Sequence, residues 1–299
     1  MLFCISMTVL KLEDVEIGEP CEPCEGEIRV RNKAIGINFI DVYFRRGFYK
    51  PSSMPFVPGM EAVGEVIALG PGLIGRKIWD VVAYVLDPMG SYAEEQILPA
   101  EKVVPVPPSI DPTIATPVLL KGMTAQILLR GCFKVEPGHT ILVHAAAGGK
   151  VTPVEDDGCH HVIIYTEEDF VARVFGITSG NGVDVVYDST GKNTFQPQGS
   201  LACLKMRDYT VSFGQVSGLV DPVPISALQP KSLFWTRASL ALYMLTQEEL
   251  LVTAREVFAN VASCVLLVRV SHAYPLSQAA QADAALESRK TSGSLVLLP

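Results

Sequence analysis

A strand that ends in a glycine turn constrains the fold of this chain more than any other feature. The apolar run Thr140-Ile-Leu-Val-His-Ala145 predicts a buried strand, and Ala146-Ala-Gly148-Gly149 follows it directly. At such a turn a pyrophosphate can approach bare backbone and accept hydrogen bonds from the first N–H groups of the next helix. The pattern therefore predicts a dinucleotide site in an α/β fold.

The helix that should follow this turn is almost absent from the sequence. Thr152 can cap a helix that begins at Pro153, but Gly158 would end it after about one and a half turns. The next apolar run, residues 161–165, predicts another strand. Residues 140–165 number only 26, whereas a βαβ unit needs about 30. The first βαβ unit is therefore predicted to be truncated near residues 150–157.

Composition limits the classes of protein that this chain can belong to. It has 299 residues, 48% apolar and 19% charged, which is enough for two globular domains. A net charge of −8 without a Lys/Arg run argues against nucleic-acid binding. No apolar run reaches the ~18 residues that span a bilayer, and no signal-peptide pattern is seen. Seven dispersed cysteines, with Cys21 and Cys24 as the one C-x-x-C pair, indicate reduced thiols. These features predict a cytoplasmic protein.

Two different patterns follow one another along the chain. Residues 1–110 predict short strands separated by Gly and Pro, as in a partly open β-barrel. After Pro117 the predicted strands alternate with helices, which indicates a parallel sheet covered on both faces. The predicted helices are residues 121–129, 167–175, 195–204, 247–263 and 277–289. The predicted strands of this part are residues 140–145, 161–165, 182–187, 209–213, 266–270 and 294–298.

Two loops after predicted parallel strands are candidate walls of a ligand site. They are Asp188-Ser-Thr-Gly191 and Phe213-Gly-Gln215, and ligands of open α/β sheets bind beyond the carboxyl ends of strands. Every parallel sheet has such loops, so a purely structural role stays open. Glu167 and Glu168 lie near the spacing of an acid that binds a ribose hydroxyl, but also where acids favour the first turn of a helix.

A polar and aromatic stretch in the first half forms a second candidate site. Asn38, Asp41 and Arg45 share one face if the stretch is helical, and Tyr43 and Tyr49 lie beside them. One interpretation is a capped, solvated turn. The other is the lining of a flat, oxygen-bearing substrate, with tyrosine rings as walls and Asn38 as a hydrogen-bond donor.

Taken together, these segments resemble the zinc-free NADPH:quinone oxidoreductases, the ζ-crystallin-like and especially plant-type branch of the medium-chain dehydrogenase/reductase superfamily. The resemblance covers almost the whole chain. Its main stretches are Gly36-Ile-Asn-Phe-Ile-Asp-Val-Tyr43, Phe56-Val-Pro-Gly-Met-Glu-Ala-Val-Gly64, Gly90-Ser-Tyr-Ala-Glu94, Leu120-Lys-Gly-Met-Thr-Ala-Gln126, Val135-Glu-Pro-Gly-His139 with the glycine turn, Val186-Tyr-Asp-Ser189, Val211-Ser-Phe-Gly214 and Leu286-Glu-Ser-Arg289.

The resemblance implies a fold, a cofactor and a set of site residues. It implies a GroES-like domain, residues 1–117 and 250–299, around a Rossmann-type domain, residues 118–249, in a homodimer or homotetramer. Asn38, Tyr43 and Tyr49 would orient a quinone for hydride transfer from NADPH. The residues implied to contact NADPH are Asn38, Thr124, Gly148, Gly149, Tyr165, Ser189, Phe213 and Arg289.

The resemblance also implies that no metal takes part. Zinc-using relatives carry a ligand histidine where this chain has Met60, and no cysteine lies between Cys24 and Cys132. The five histidines show no metal-binding spacing, so we interpret them as solvated or core residues. A quinone accepts hydride readily, so positioning it against the nicotinamide is the main requirement.

The shortened segment is the main departure from the family. Relatives continue the glycine turn with a long helix, a second strand and another helix, and residues 157–161 resume their pattern with residues 161–165 as the third strand. Under this alignment Glu167 is not the ribose acid. Loss of these elements would leave an unpaired sheet edge and remove several kcal/mol of burial energy. We therefore expect weak NADPH affinity, low stability and a tendency to associate.

Two other functions remain open from the sequence. The chain can be a non-catalytic relative that keeps the fold and the dimer surface as a binding or structural protein. It can also be an enone or alkenal reductase on the same scaffold. The shortened segment favours the first alternative, and the retained site residues favour an enzyme.

Overall fold

The computed structural model describes residues 2–6, 9–13, 22–145, 157–195, 198–288 and 291–299. The chain divides into two compact units, residues 1–124 with 244–299 and residues 125–243. The truncation predicted near residues 150–157 falls almost entirely outside the described residues and stays a prediction. The domain boundaries predicted at residues 117 and 250 also stay a prediction.

The first unit is built on a seven-stranded, largely antiparallel sheet. Its strands follow the order β12-β13-β3-β4-β5-β7, and β6 pairs with β3. A separate hairpin of β1 and β2 precedes them. The strands of this unit are β1 (Leu2–Ser6), β2 (Val9–Glu13), β3 (Glu27–Gly36), β4 (Glu61–Leu69), β5 (Val81–Val85), β6 (Glu95–Pro99), β7 (Val103–Pro105), β12 (Val270–Pro275) and β13 (Ser294–Leu298). Strands from both ends of the chain therefore share one sheet, as the resemblance implies.

The central strand β3 shows why this sheet forms where it does. Its alternating sequence turns Ile28 and Val30 inward, where both are fully buried, while Arg29 and Arg31 pair with Glu95 of β6. Two register irregularities interrupt its pairing with β4, a feature that bends strands around a barrel. The short strands predicted in residues 1–110 are confirmed by β1 to β7.

The described residues of this unit also form four helices. They are α1 (Phe39–Arg45), α2 (Pro112–Ile127), α4 (Gln247–Ala262) and α5 (Ala279–Glu287). Short 3₁₀ turns lie at Ala100–Lys102 and Leu276–Gln278. Helix α4 begins with a capping box of Thr246 and Glu249, which satisfies two backbone N–H groups at its start. Helix α2 carries the chain into the second unit and ends in a π-helical turn, Leu128–Cys132.

The second unit contains a four-stranded parallel sheet in the order β11-β10-β9-β8. Its elements are β8 (Ile141–Val143), α3 (Phe170–Ile177), β9 (Val183–Asp188), β10 (Leu204–Ser212) and β11 (Phe234–Arg237), with 3₁₀ turns at Ile225–Lys231 and Leu240–Tyr243. Val185 and Val186 of β9 are fully buried between two apolar layers, because a parallel sheet is covered on both faces. Among the described residues, β8 pairs only with β9.

Several predicted elements of this unit are wrong. Residues 161–165 form no strand; Ile164 instead accepts the backbone N–H groups of Glu167 and Glu168 in a turn. The described residues between 195 and 204 form turns rather than a helix. In the first unit, the strand predicted at residues 266–270 begins only at its last residue, Val270, which opens β12. Strand β11 was missed because its aromatic residues lie at the sheet edge, partly exposed, without an apolar run on either side.

None of the helices in the described part of the chain has the length and apolar character that a membrane crossing requires.

The buried face of β10 should contribute strongly to the stability of the second unit. Leu204 is 1% exposed and Leu242 is 68% exposed. We expect Leu204→Ala to lower the free energy of unfolding by about 2–5 kcal/mol, because a core cavity replaces the side chain. Leu242→Ala makes the same chemical change on the surface of the same unit and should cost less than about 1 kcal/mol. Urea unfolding followed by circular dichroism measures both, and equal losses would contradict this assignment of the core.

Candidate active site

Asn38 caps helix α1 at the point where β3 ends. The backbone of Asn38 is extended. Its N–H donates to Asp41 Oδ2 at 2.9 Å, and the Asp41 N–H donates to the Asn38 carbonyl oxygen at 3.1 Å. Asparagine is among the preferred residues at this position. The stretch that contains Asp41, Tyr43 and Arg45 is therefore helical, and the cap fixes the backbone of Asn38.

The side chain of Asn38 is held by a carboxylate. Its Nδ2 donates to Glu61 Oε1 at 2.7 Å, and Glu61 Oε2 accepts the Leu120 N–H of α2, also at 2.7 Å. Glu61 is fully buried, and Lys121 Nζ lies 4.0 Å from its Oε1. Burial raises the pKa of Glu61, and Lys121 together with the Asn38 hydrogen bond opposes this rise.

Gly36 makes room for this carboxylate. A Cβ built on Gly36 would overlap the end of the Glu61 side chain, including Oε1. Any larger residue at position 36 would therefore push Glu61 away from Asn38. Glycine is required at position 36 because the Glu61 side chain approaches its backbone closely, and not because its backbone angles are unusual.

An aromatic cluster lies at the end of α1. Tyr43 is 7% exposed, and its ring meets Tyr49 edge to face with centroids 5.6 Å apart. Phe48 and Phe44 extend the cluster, at 6.2 Å from Tyr43 and 5.6 Å from Tyr49. Edge-to-face contacts of this kind fix ring orientation. The structure thus brings the predicted Tyr43 and Tyr49 together on the segment that Asn38 begins.

A buried acidic network lies beneath this segment. Tyr92 Oη lies 3.3 Å from Asp283 Oδ1 of α5 and 3.5 Å from Asp41 Oδ2, and Arg45 Nε pairs with Asp283 Oδ2 at 3.0 Å. Arg45 also pairs with Glu287. Asp41 Oδ1 is buried and has no hydrogen-bond partner in the part of the chain that the structure describes. Burial and the nearby Asp283 carboxylate raise the pKa of Asp41 well above its ordinary value, so a proton on Asp41 is favoured in the folded state.

The second unit has its own candidate site at the carboxyl ends of β9 and β10. Asp188 is fully buried and accepts hydrogen bonds from the Thr190 and Gly191 N–H groups at 2.8 and 3.0 Å. It also accepts from the hydroxyls of Thr194 and Ser200. A carboxylate with this many donors orders the loop that contains the predicted Ser189.

His144 belongs to the same network. Its Nε2 lies 3.0 Å from Ser200 Oγ, and the Ser189 hydroxyl donates to its carbonyl oxygen at 3.2 Å. Burial lowers the pKa of His144, while the negative Asp188 opposes this change. Its 5% exposure confirms the interpretation of this histidine as a core residue.

The other residues predicted to contact NADPH lie in several different elements of the structure. Phe213 is half-buried, and its N–H donates to the Asp188 carbonyl oxygen at 2.9 Å. Thr124 Oγ1 donates to the Leu120 carbonyl oxygen at 2.7 Å in α2, and Tyr165 lies in a turn, half-buried. The predicted Gly148, Gly149 and Arg289 lie outside the described residues.

Glu167 and Glu168 do not begin a helix. Helix α3 starts later, at Phe170, with Asp169 as its cap, whose side chain accepts the N–H groups of Val171 and Ala172. Glu168 Oε1 instead accepts the Ile164 N–H at 3.1 Å. The prediction that these acids form the first helical turn is wrong, because Asp169 is the better cap.

Sequence reasoning missed Glu61 as a site residue. The sequence does contain a signal for it, a lone carboxylate at the start of the apolar run in Pro58-Gly-Met-Glu-Ala-Val63. If such a strand is buried, the carboxylate needs a hydrogen-bond or ion-pair partner. Among the described residues, no group of three or more His, Cys, Asp or Glu side chains is placed to hold a metal ion. Met60, at the position of the zinc ligand of relatives, is buried.

Two family models match the chain. Residues 24–108 match the alcohol dehydrogenase GroES-like domain, and residues 158–297 match a model described as zinc-binding dehydrogenase. A quinone oxidoreductase of Pseudomonas aeruginosa is 39% identical over 94% of this chain and 94% of its own length. A 2-haloacrylate reductase of Burkholderia sp. is also 39% identical, over 96% of this chain and 94% of its own length.

Solved structures agree with these relatives. The crystal structure of Escherichia coli quinone oxidoreductase complexed with NADPH matches with a TM-score of 0.94 and 38% identity, over 100% of this chain and 99% of that chain. The GroES-like sheet and the parallel sheet therefore define a medium-chain dehydrogenase/reductase. Within that class, the chain belongs to the quinone oxidoreductase family, which confirms the resemblance and the predicted fold class.

The raised pKa of Asp41 predicts a specific pH dependence of stability. Because the folded state binds the Asp41 proton more tightly than the unfolded state, the free energy of unfolding should fall as pH rises from the ordinary carboxyl pKa of 3.8 through the raised one. Asp41→Asn keeps an acceptor for the Asn38 N–H but cannot ionise, so it should remove this part of the pH slope. Urea unfolding at a series of pH values measures the slope, with the exposed Asp87→Asn as matched control. A slope unchanged in Asp41→Asn would contradict the prediction.

Proposed function

We propose that this protein is an NADPH-dependent quinone reductase that transfers hydride from NADPH to a quinone without a metal. The observation that carries the proposal is the match of the complete fold to the NADPH complex of the Escherichia coli enzyme, at 38% identity and a TM-score of 0.94. Asn38, Tyr43 and Tyr49 provide the substrate-facing groups that such a reaction requires.

The described residues beyond β9 and β10 suit a nucleotide. Ser189, Gly191 and Gly214 have small side chains or none, and Gly214 lies directly against the backbone of Ser189. The Thr190 hydroxyl is buried and has no hydrogen-bond partner among the described residues, so a ligand oxygen would satisfy it. When bound, NADPH supplies the hydride. The residues proposed to hold it are Asn38, Thr124, Gly148, Gly149, Tyr165, Ser189, Phe213 and Arg289.

Asn38 and the tyrosines act on the substrate in this proposal. The contact with Glu61 uses one N–H of the Asn38 amide and leaves the other to donate to a quinone carbonyl oxygen, where negative charge develops during reduction. The rings of Tyr43 and Tyr49 hold a flat molecule by stacking. No side chain acts as a nucleophile, and orientation supplies most of the rate enhancement.

The absence of a metal requirement follows from side-chain chemistry. Met60 offers a thioether where zinc-using relatives have an imidazole, and a thioether is a poor ligand for zinc. A quinone needs no Lewis acid to accept hydride. Addition of a chelator should therefore leave the rate unchanged.

A homodimer or homotetramer in the cytoplasm is part of the proposal. Strand β11 ends the described sheet of the second unit, and its Phe234 and Trp235 are 50% and 41% exposed, which favours association with another subunit. Sedimentation velocity should give a multiple of the 32.3 kDa chain mass, and a monomer at micromolar concentration would contradict this.

Reduction of an activated carbon–carbon double bond is the second candidate. It is favoured by the 39% identity to a protein named 2-haloacrylate reductase. The same Asn38 donor can bind the carbonyl of an enone. Steady-state kinetics with a quinone, an enone and a 2-haloacrylate separate the two, and no NADPH oxidation with any of them would instead indicate a non-catalytic relative.

Loss of the Asn38 amide should weaken the reaction more than it weakens the fold. We expect Asn38→Ala to lower kcat/KM for the quinone by about 10- to 100-fold, since a hydrogen bond to a charged group contributes about 1.5–3 kcal/mol. NADPH oxidation followed at its absorbance maximum measures the rate. Exposed Asn181→Ala is the control and should retain activity. An unchanged kcat/KM in Asn38→Ala would exclude Asn38 as a substrate-binding residue.

The shortened segment predicts weak cofactor binding. If groups that hold the phosphates of NADPH are missing near residues 150–157, the dissociation constant for NADPH should lie above the micromolar range usual for such enzymes. Isothermal titration calorimetry with NADPH measures it directly. A micromolar constant would show that the shorter segment still supplies a complete phosphate site.

A further inference from the structure

Glu61 has an unusual environment for a carboxylate that is not itself proposed to touch substrate. It is fully buried at the first residue of β4, and its two oxygens accept from Asn38 Nδ2 and from the Leu120 N–H, each at 2.7 Å. The backbone N–H fixes Oε2 as an acceptor. Burial raises the pKa of Glu61, but Lys121 Nζ, 4.0 Å from Oε1, and the two hydrogen bonds that the Glu61 oxygens accept all favour the charged form, which can only accept.

This arrangement decides how the Asn38 amide is turned. An ionised carboxylate attracts the amide nitrogen and repels the amide oxygen, so the NH₂ end of Asn38 must face Glu61. The carboxylate itself has little freedom to move, because it fills the space left by the missing side chain of Gly36. Asn38 is also nearly buried, at 4% exposure. Glu61 therefore fixes the rotation of the Asn38 amide about its last bond.

We propose that Glu61 is a positioning residue, which holds the Asn38 amide so that its second N–H is presented to the carbonyl oxygen of the substrate. The inference rests on the proposed function, in which Asn38 donates that hydrogen bond. The negative charge on Glu61 also polarises the amide, which strengthens the donor. In this role Glu61 acts only through Asn38.

A purely structural role makes a different prediction. Glu61 joins β4 to α2 through the Leu120 N–H, and loss of that bond alone would disturb the fold whether or not residue 38 is asparagine. The two roles are therefore separated by a double-mutant cycle between positions 61 and 38.

The test uses Glu61→Gln, Asn38→Ala and the double variant in the full chain, with NADPH and 1,4-benzoquinone. Glutamine must turn its NH₂ group toward either Asn38 Nδ2 or the Leu120 N–H, so it cannot satisfy both donors. We expect Glu61→Gln alone to lower kcat/KM about 10-fold, with most of the loss in kcat. In the Asn38→Ala background the same change should lower kcat/KM less than twofold.

Gly36→Ala is a second route to the same displacement if Glu61→Gln does not fold. It leaves Glu61 and Asn38 chemically intact but pushes the carboxylate away. It should lower kcat as Glu61→Gln does, and its effect should also vanish in Asn38→Ala. Circular dichroism and NADPH binding identify the folded variants.

The outcomes are distinct. If Glu61→Gln lowers kcat/KM equally in the wild-type and Asn38→Ala backgrounds, Glu61 is a structural residue and the inference is overturned. The proposed function would then still stand. Wild-type protein that binds NADPH but reduces no quinone would overturn both. Loss confined to backgrounds that retain Asn38 supports the positioning role.

Discussion

The buried pair of Glu61 and Asn38 is the interaction around which the first unit is arranged. A charged carboxylate in an apolar interior is costly unless every lone pair that faces protein finds a donor. Here the donors come from the cap of α1 and from the backbone of α2, and Gly36 of β3 supplies the space. Three separate segments must therefore be correctly placed before Glu61 has its hydrogen-bond partners and the space that it needs. The orientation of the Asn38 amide is in this way fixed by the fold and not by the side chain's own preference.

The second unit uses the same principle with a different residue. Asp188 is buried at the end of β9 and collects backbone and hydroxyl donors from residues 190–200. These hydrogen bonds order the glycine-containing loop that includes Ser189. Both candidate sites thus contain a buried carboxylate that holds neighbouring polar groups in place by accepting their hydrogen bonds. Such an arrangement suits hydride transfer, in which the protein mainly positions two reactants and moves little charge of its own.

Patterned segments could be predicted from the sequence, and segments defined by tertiary contacts could not. The apolar strand β9 and the helix α4 have strong local signals, and the ranges predicted for them, residues 182–187 and 247–263, agree with the structure to within one residue at each end. Residues 161–165 have the composition of a strand but pair with no strand among the described residues, and a turn begins at Tyr165. Glu61 was missed because its importance comes from Asn38, 23 positions earlier, and from Leu120, 59 positions later. Hydrogen bonds across such distances leave no local pattern.

The edge position of β8 connects the shortened sequence to the behaviour of the whole protein. In the described part of the sheet β8 contacts only β9, and Val143 is 47% exposed although it belongs to a strand that a doubly wound fold normally buries. Exposed apolar surface and a free strand edge lower the free energy of unfolding and favour association with other strands. The described donors to the Asp188 carboxylate all lie in residues 190–200, after β9 in the chain. His144, which directly follows β8, joins this network through Ser200, and its carbonyl oxygen accepts the Ser189 hydroxyl. The predicted shortening would therefore reduce affinity for the phosphates while the hydrogen bonds between Asp188 and residues 190–200 are retained.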